Sequence, residues 1–98
     1  MTDLSDPAEV KDRATKSRLR QRENDEVLYG LCSTTQGRRW VFDLLARCHV
    51  FTTSFRSDPH AMAFAEGERN VGLSLIGELT RVSPKALTDL LSENMNNG

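Results

Sequence analysis

The chain has 98 residues, enough for one domain at most, with 38% hydrophobic and 28% charged residues. That balance is lean for a globule buried throughout and points to a compact part joined to a solvated or partner-dependent part. A formal net charge of -1 argues against the whole chain acting as a nucleic-acid or membrane binder by charge alone.

Residues 1–5 read as a frayed start. Asp6-Pro7-Ala8-Glu9 is then a helix-start signal: Asp6 can accept from a free backbone N–H, Pro7 suits the first helical position and Glu9 completes a capping box. No apolar run follows Met1, so no secretory signal is expected, and synthesis in the cytosol follows. A helix is predicted from there to about residue 33, interrupted only by Gly30. At about 100° per residue Val10, Ala14, Gln21, Leu28 and Cys32 share a face, and only the stretch 27–32 is rich enough to bury.

The charge in this first helix is ordered. Lys11, Arg13, Lys16, Arg18, Arg20 and Arg22 stand against one acid, Asp12, and Glu23, Asp25 and Glu26 follow. On a helix Lys11, Arg18 and Arg22 lie on one side and Arg13, Lys16 and Arg20 nearly opposite. A helix basic on two sides suits phosphate contact or an acidic protein channel. It lacks the interleaved aromatics that stack on single strands, and the acids that follow would repel a phosphate backbone. Two readings stay open for this arm, contact with protein and contact with DNA.

Ser33-Thr34-Thr35 is a break that can cap a second helix, predicted over about residues 36–48. Trp40, Val41, Leu44, Leu45 and Cys48 form its apolar stripe while Arg39, Asp43 and Arg47 face away. Residues 49–58 are a connector whose Phe51 and Phe55 are expected to fold back onto the core. Asp58-Pro59 opens a third helix to about residue 81, with Phe64, Val71, Leu75, Ile76 and Leu79 as its stripe and Glu68 inside that stripe. Gly67, Gly72 and Gly77 lower its helix propensity and are expected to admit a close neighbouring helix. Ser83-Pro84 starts a fourth helix with Ala86, Leu87, Leu90 and Leu91 apolar, and residues 94–98 are a polar cap and tail.

The expected fold is all-α: a small bundle of about four helices with a protruding charged N-terminal helix. Its parts are an arm over residues 1–26, a compact domain over 27–95 and a tail over 96–98. The core is expected to centre on Trp40, Leu44, Phe64, Val71 and Leu75, in which case Trp40→Ala would cost about 3–5 kcal/mol. Residues 8–24 are expected to fray in the free monomer. Arg38 borders the second-helix stripe, and a carboxylate inside a stripe needs a cation or several donors. Glu68 is therefore expected either to pair with Arg38 or Arg39 across a helix–helix contact, setting register, or to reach water at the rim of the core.

Nothing in the sequence carries a reaction. Cys32 and Cys48 form no CxxC pair and read as reduced, core-filling thiols. Cys48 and His49 are adjacent, so on a helix they point about 100° apart and do not make a thiol–base pair. His49 and His60 have no further ligand at metal spacing. Neither GxGxxG nor GxxxxGK[ST] occurs, and Glu66 and Glu68 have no matching general acid. The expectation is a protein that is not an enzyme, with no cofactor, no metal and no small-molecule substrate. The longest apolar run is short and broken by Gly72 and Gly77, so no membrane span is expected.

Several motifs in order are similar to a known family. They are Gly37-Arg38-Arg39-Trp40-Val41-Phe42-Asp43-Leu44-Leu45, then Cys48-His49-Val50-Phe51, then Ser54-Phe55, then Phe64-Ala65-Glu66-Gly67-Glu68-Arg69-Asn70-Val71-Gly72-Leu73. This pattern, over about residues 27–82, resembles a family of short proteins encoded among the structural genes of short-tailed (podovirus-type) bacteriophages. Family members often carry glycine at the turn where this chain has His49. The resemblance implies a place in the virion or its assembly apparatus, at the portal vertex as a neck, tail-joining or internal core element. The implied partners are other phage structural proteins and further copies of the chain, with genomic DNA as the alternative partner of Lys11 to Arg22.

Overall fold

The computed structural model describes residues 7–95. The expected start at 1–5, the Asp6 cap and the tail at 96–98 lie outside the described residues. Four helices follow one another: α1 over Pro7–Leu31, α2 over Thr35–Arg47, α3 over Pro59–Val82 and α4 over Pro84–Met95. No described residue is in a strand, so the fold is an all-α small bundle. The helix starts follow local chemistry. Thr34 is extended and its side chain accepts from the Gly37 N–H; Asp58 does the same for Ala61, with Pro59 behind it. Ser83, the single residue between α3 and α4, accepts from the Ala86 N–H through its hydroxyl.

The core is small. Cys32, Val41, Leu45, Leu79, Ala86 and Leu90 are buried together, and Leu28, Phe42, Val50, Phe51, Leu75, Ile76, Leu87 and Leu91 pack half-buried around them. α4 lies against α2 and α3, and α1 reaches the bundle through α3. α1 contributes no buried residue along its 25 positions. Val27, Tyr29 and Leu31 are exposed, and only Leu28 and Cys32, just past its end, turn inward. One continuous helix therefore crosses the expected arm boundary at residue 26.

The expected centre of the core is corrected on three residues. Trp40 is 54% exposed, Phe64 71% and Val71 66%, while Leu44 and Leu75 are half-buried. On α2 the buried positions are Gly37, Val41 and Leu45, so the inward face is turned away from Trp40, which lands on the rim. A Cβ on Gly37 would fall 1.6 Å from the Leu31 carbonyl oxygen; α2 meets the end of α1 backbone to backbone on that side. On α3 the buried positions are Ala65, Gly72 and Leu79, spaced by seven. The small residues face inward because the connector lies tight against them: a Cβ on Gly72 would sit 2.4 Å from Val50 Cγ2 and 2.8 Å from Cys48 Cβ. The large residues of the expected stripe, Phe64 and Val71, are left facing outward. Gly67 and Gly77 have nothing within 4 Å of where a Cβ would stand, so the close approach expected of all three glycines is met within the chain at Gly72 only.

The connector is half as expected. Phe51 folds back and stacks on Phe42 with ring centroids 5.0 Å apart, whereas Phe55 is exposed.

Candidate functional site

α1 carries its six bases along an open stretch of helix. Arg13 bridges Glu9 at 2.8 Å and Lys16 bridges Asp12 at 3.1 Å, both four residues apart on the same helix. Such exposed pairs contribute a few tenths of a kcal/mol each. Lys11, Arg18, Arg20 and Arg22 form no ion pair among the described residues. The two basic rows flank a narrow seam of small and neutral side chains, Val10, Ala14, Ser17 and Gln21, which continues by helical register to Leu28.

The acids after the bases are not all free to meet a neighbour. Arg81 donates to both oxygens of Asp25, at 2.9 and 2.8 Å, and also contacts Glu78. Hydrogen bonds from Arg81, then from Gln21, hold the Asp25 carboxyl down at about 2, and its partners in turn push Arg81 up. This bidentate contact anchors α1 to the end of α3. Glu23 and Glu26 remain exposed.

The expected register pair is replaced by two others. Arg38 bonds Glu93 on α4, with Nε 2.9 Å from Oε1 and Nη2 2.8 Å from the same oxygen, and its Nη1 donates to the Cys32 carbonyl at 3.1 Å. One guanidinium thus ties the end of α1, the start of α2 and the end of α4, and the Glu93 hydrogen bond raises its pKa. Glu68 instead meets His49, Oε1 to Nε2 at 3.1 Å. Arg39 is exposed. Glu68 and Arg38 are separated because α4 takes the place beside Arg38, and the connector takes the place beside Glu68. Nothing near Arg38 in sequence marks Glu93, which is 55 positions away.

His49 has φ 63°, the left-handed region that favours glycine. This accounts for the glycine that the resembling pattern often has at the turn. Next to it Arg69 Nη1 donates to the carbonyls of His49, Val50 and Thr52 at 3.0, 3.3 and 3.3 Å. Arg69 thereby satisfies carbonyls that a tight turn leaves without helical partners.

Little here resembles reaction chemistry. Cys32 is buried, and that burial pushes its thiol up, away from the reactive thiolate. Among the described residues no group of three or more His, Cys, Asp or Glu converges to hold a metal ion, and no described helix is long and apolar enough to cross a membrane. What stands out is surface: the open basic arm, and the apolar side chains of Trp40, Phe55, Phe64 and Val71 turned to solvent.

Comparison with known proteins separates the same two parts. No curated protein and no solved structure matches the chain. Residues 30–92 match the family described as Bbp19-like phage protein. The match starts at the last turn of α1 and takes in α2, α3 and nearly all of α4, leaving the basic arm outside it. Because it spans well over half of the chain, the chain belongs to the family of Bbp19-like phage proteins.

Proposed function

We propose that this phage protein is a structural or assembly subunit of a short-tailed bacteriophage particle, oligomeric and built into the portal vertex as a neck, tail-joining or internal core element. On this reading it works in the virion by packing against other phage structural proteins and copies of itself, and it catalyses no reaction. The observation that carries the reading is the unburied surface. A 25-residue helix has no buried residue, and beyond it Trp40, Phe55, Phe64, Val71 and Met95 are each more than half exposed. Exposure on this scale marks a protein that reaches its final burial in an assembly. A charged helix that offers the core of its own chain only Leu28 suits a lattice or ring in which neighbours cover the rest.

Mass spectrometry of purified particles tests the reading directly. The chain should be present in stoichiometric amount, and a chain lacking residues 1–24 should be missing from otherwise complete particles. Absence of the intact chain from washed particles would refute it.

A second reading has its own observation. Lys11, Arg18, Arg20 and Arg22 are uncommitted among the described residues, so the arm can serve a small DNA-binding or packaging accessory. Binding to duplex DNA should then weaken steeply as salt rises and vanish on loss of the arm. An affinity indifferent to salt would exclude it.

A further inference from the structure

The two basic sides of α1 are not equal, because the acids of the helix fall mostly on one of them. At about 100° per residue Lys11, Arg18 and Arg22 share a strip about 40° wide. Arg13, Lys16 and Arg20 lie opposite, and Glu9, Asp12 and Glu23 fall among them. That second side sets three bases against three acids. Two of its bases are bridged within the helix, Arg13 to Glu9 and Lys16 to Asp12. The first side holds three bases, all exposed and without an ion pair among the described residues. The acid that continues this side is Asp25, one turn beyond Arg22, and Arg81 takes both of its oxygens. Glu26 borders the strip at the same level and ends it. The free positive charge of the arm is therefore one row, about 16 Å long at about 1.5 Å per residue.

We infer that the row Lys11, Arg18 and Arg22, and not the opposite side, lies along the phosphate backbone of duplex DNA. The inference rests on the second reading of the proposed function, in which the arm meets DNA, and adds which side of the helix makes the contact. Three observations choose the partner. A contact with an acidic protein would centre on large apolar anchors. Beside this row stand Thr15 and Leu19, which share a shallow recess with Arg18 and Arg22, and Leu19 is the one large apolar side chain among them. A row of long cations with so little apolar area suits phosphates, whose protein contacts are polar and strongly positive. Residues 7–22 contain no aromatic side chain, so the bases of a single strand have nothing to stack on there. The one-sided charge also sets the docking. A helix sunk in a groove has a phosphate strand on either flank, and the acids of the second side would face one of them. The arm therefore lies against the backbone from outside and reads no sequence. Its second side, balanced in charge, stays open to the neighbouring copies of the proposed function.

Two full-length variants remove the same charge from opposite sides. One carries Lys11→Gln, Arg18→Gln and Arg22→Gln; the other carries Arg13→Gln, Lys16→Gln and Arg20→Gln. Glutamine is a good helix former and none of the six side chains is buried, so both chains should keep the wild-type helical signal. Binding to a mixed-sequence duplex is read by fluorescence anisotropy across a salt series. The wild-type chain should give a log–log slope of about -2.7, from three phosphates at about -0.9 each. The first-side variant should lose most of that slope and bind roughly tenfold more weakly, or worse, at low salt. The second-side variant should keep the slope and bind within about threefold of wild type.

Equal losses in the two variants, or a larger loss from the second side, would overturn the inference while leaving the DNA reading in place. A single strand of the same length held more tightly than the duplex would overturn it too. No binding of the wild-type chain to duplex at low salt would overturn the inference and the second reading together, and would hand the row to an acidic protein surface.

Discussion

At the scale of single residues, burial and left-handed backbone decide what a substitution does. Leu45 is fully buried and Trp40 is not, although both lie on the second helix and both are large. Leu45→Ala should cost about 2–5 kcal/mol, through lost burial and the cavity left behind. Trp40→Ala should cost about 1 kcal/mol, because roughly half of its surface gains nothing from folding. Urea unfolding of the two variants checks the order, and a larger loss at Trp40 would contradict the placement of its ring. His49 is governed by backbone. Its left-handed conformation costs an L-residue about 1 kcal/mol, and glycine removes that strain while making the unfolded chain looser. His49→Gly should leave the unfolding midpoint within about 1 kcal/mol of wild type even though the contact with Glu68 goes. His49→Val, branched at Cβ, should cost about 1–2 kcal/mol. Equal effects of the two substitutions would mean that the side chain, not the backbone, sets this turn.

At the scale of elements, the boundaries were legible and the faces in part: the stripe of α4 and, Trp40 apart, that of α2 turn inward, while α3 departs at Phe64 and Val71. Thr34, Asp58-Pro59 and Ser83-Pro84 mark helix starts through short-range bonds that any reader of the sequence can find. The direction in which each helix turns its side chains depends on what lies opposite. On α3 a stripe of large apolar residues pointed to Phe64 and Val71, yet Ala65 and Gly72 are the ones covered, and at Gly72 the side chains of Cys48 and Val50 lie too close to leave room for a Cβ. The Arg38–Glu93 and Arg81–Asp25 pairs join positions more than fifty apart, and local pattern has no access to them. The basic rows of α1, in contrast, were fully legible, since helical periodicity alone places them.

The Arg81–Asp25 contact makes the seating of α1 depend on acid. Asp25 lies near 2 when folded against an ordinary 3.8, so its contribution to stability is complete above about pH 4 and is lost as pH falls through 2. Amide exchange at residues 21–28 should therefore accelerate between pH 4 and pH 2 relative to exchange at residues 41–45. Asp25→Asn should show the faster exchange already at neutral pH and lose the acid dependence. Exchange of this segment that stays unchanged in Asp25→Asn would show that Leu28 packing alone seats the helix.

At the scale of the whole molecule, the shape departs from that of an ordinary domain of this length. The Cα radius of gyration is 18.0 Å, against about 13 Å for a compact chain of similar size, and the extents are 56 × 38 × 16 Å. A flat body with a projecting helix has a small core, and such a body has little stability in reserve. Its stability is then tied to association. A complex that forms only between folded chains raises the melting midpoint with concentration, while a monomeric fold melts at one temperature whatever the concentration.

Removing residues 1–20 takes away no buried side chain among the described residues and leaves Gln21, Asp25 and the Arg81 contact in place. In dilute solution the shortened chain should therefore melt within about 2 °C of the intact one, with less helical signal, since mutations away from packed features change stability by about 0.5 kcal/mol or less. At high concentration the two should part. The intact chain should melt higher as its arms pack against neighbouring copies, and the shortened chain should keep its dilute midpoint. If both midpoints rise together, association uses the compact part alone; if the shortened chain already melts much lower in dilute solution, the arm stabilises its own body. The dilute comparison measures what the arm does for its own chain, and the concentrated one measures what it does for the next.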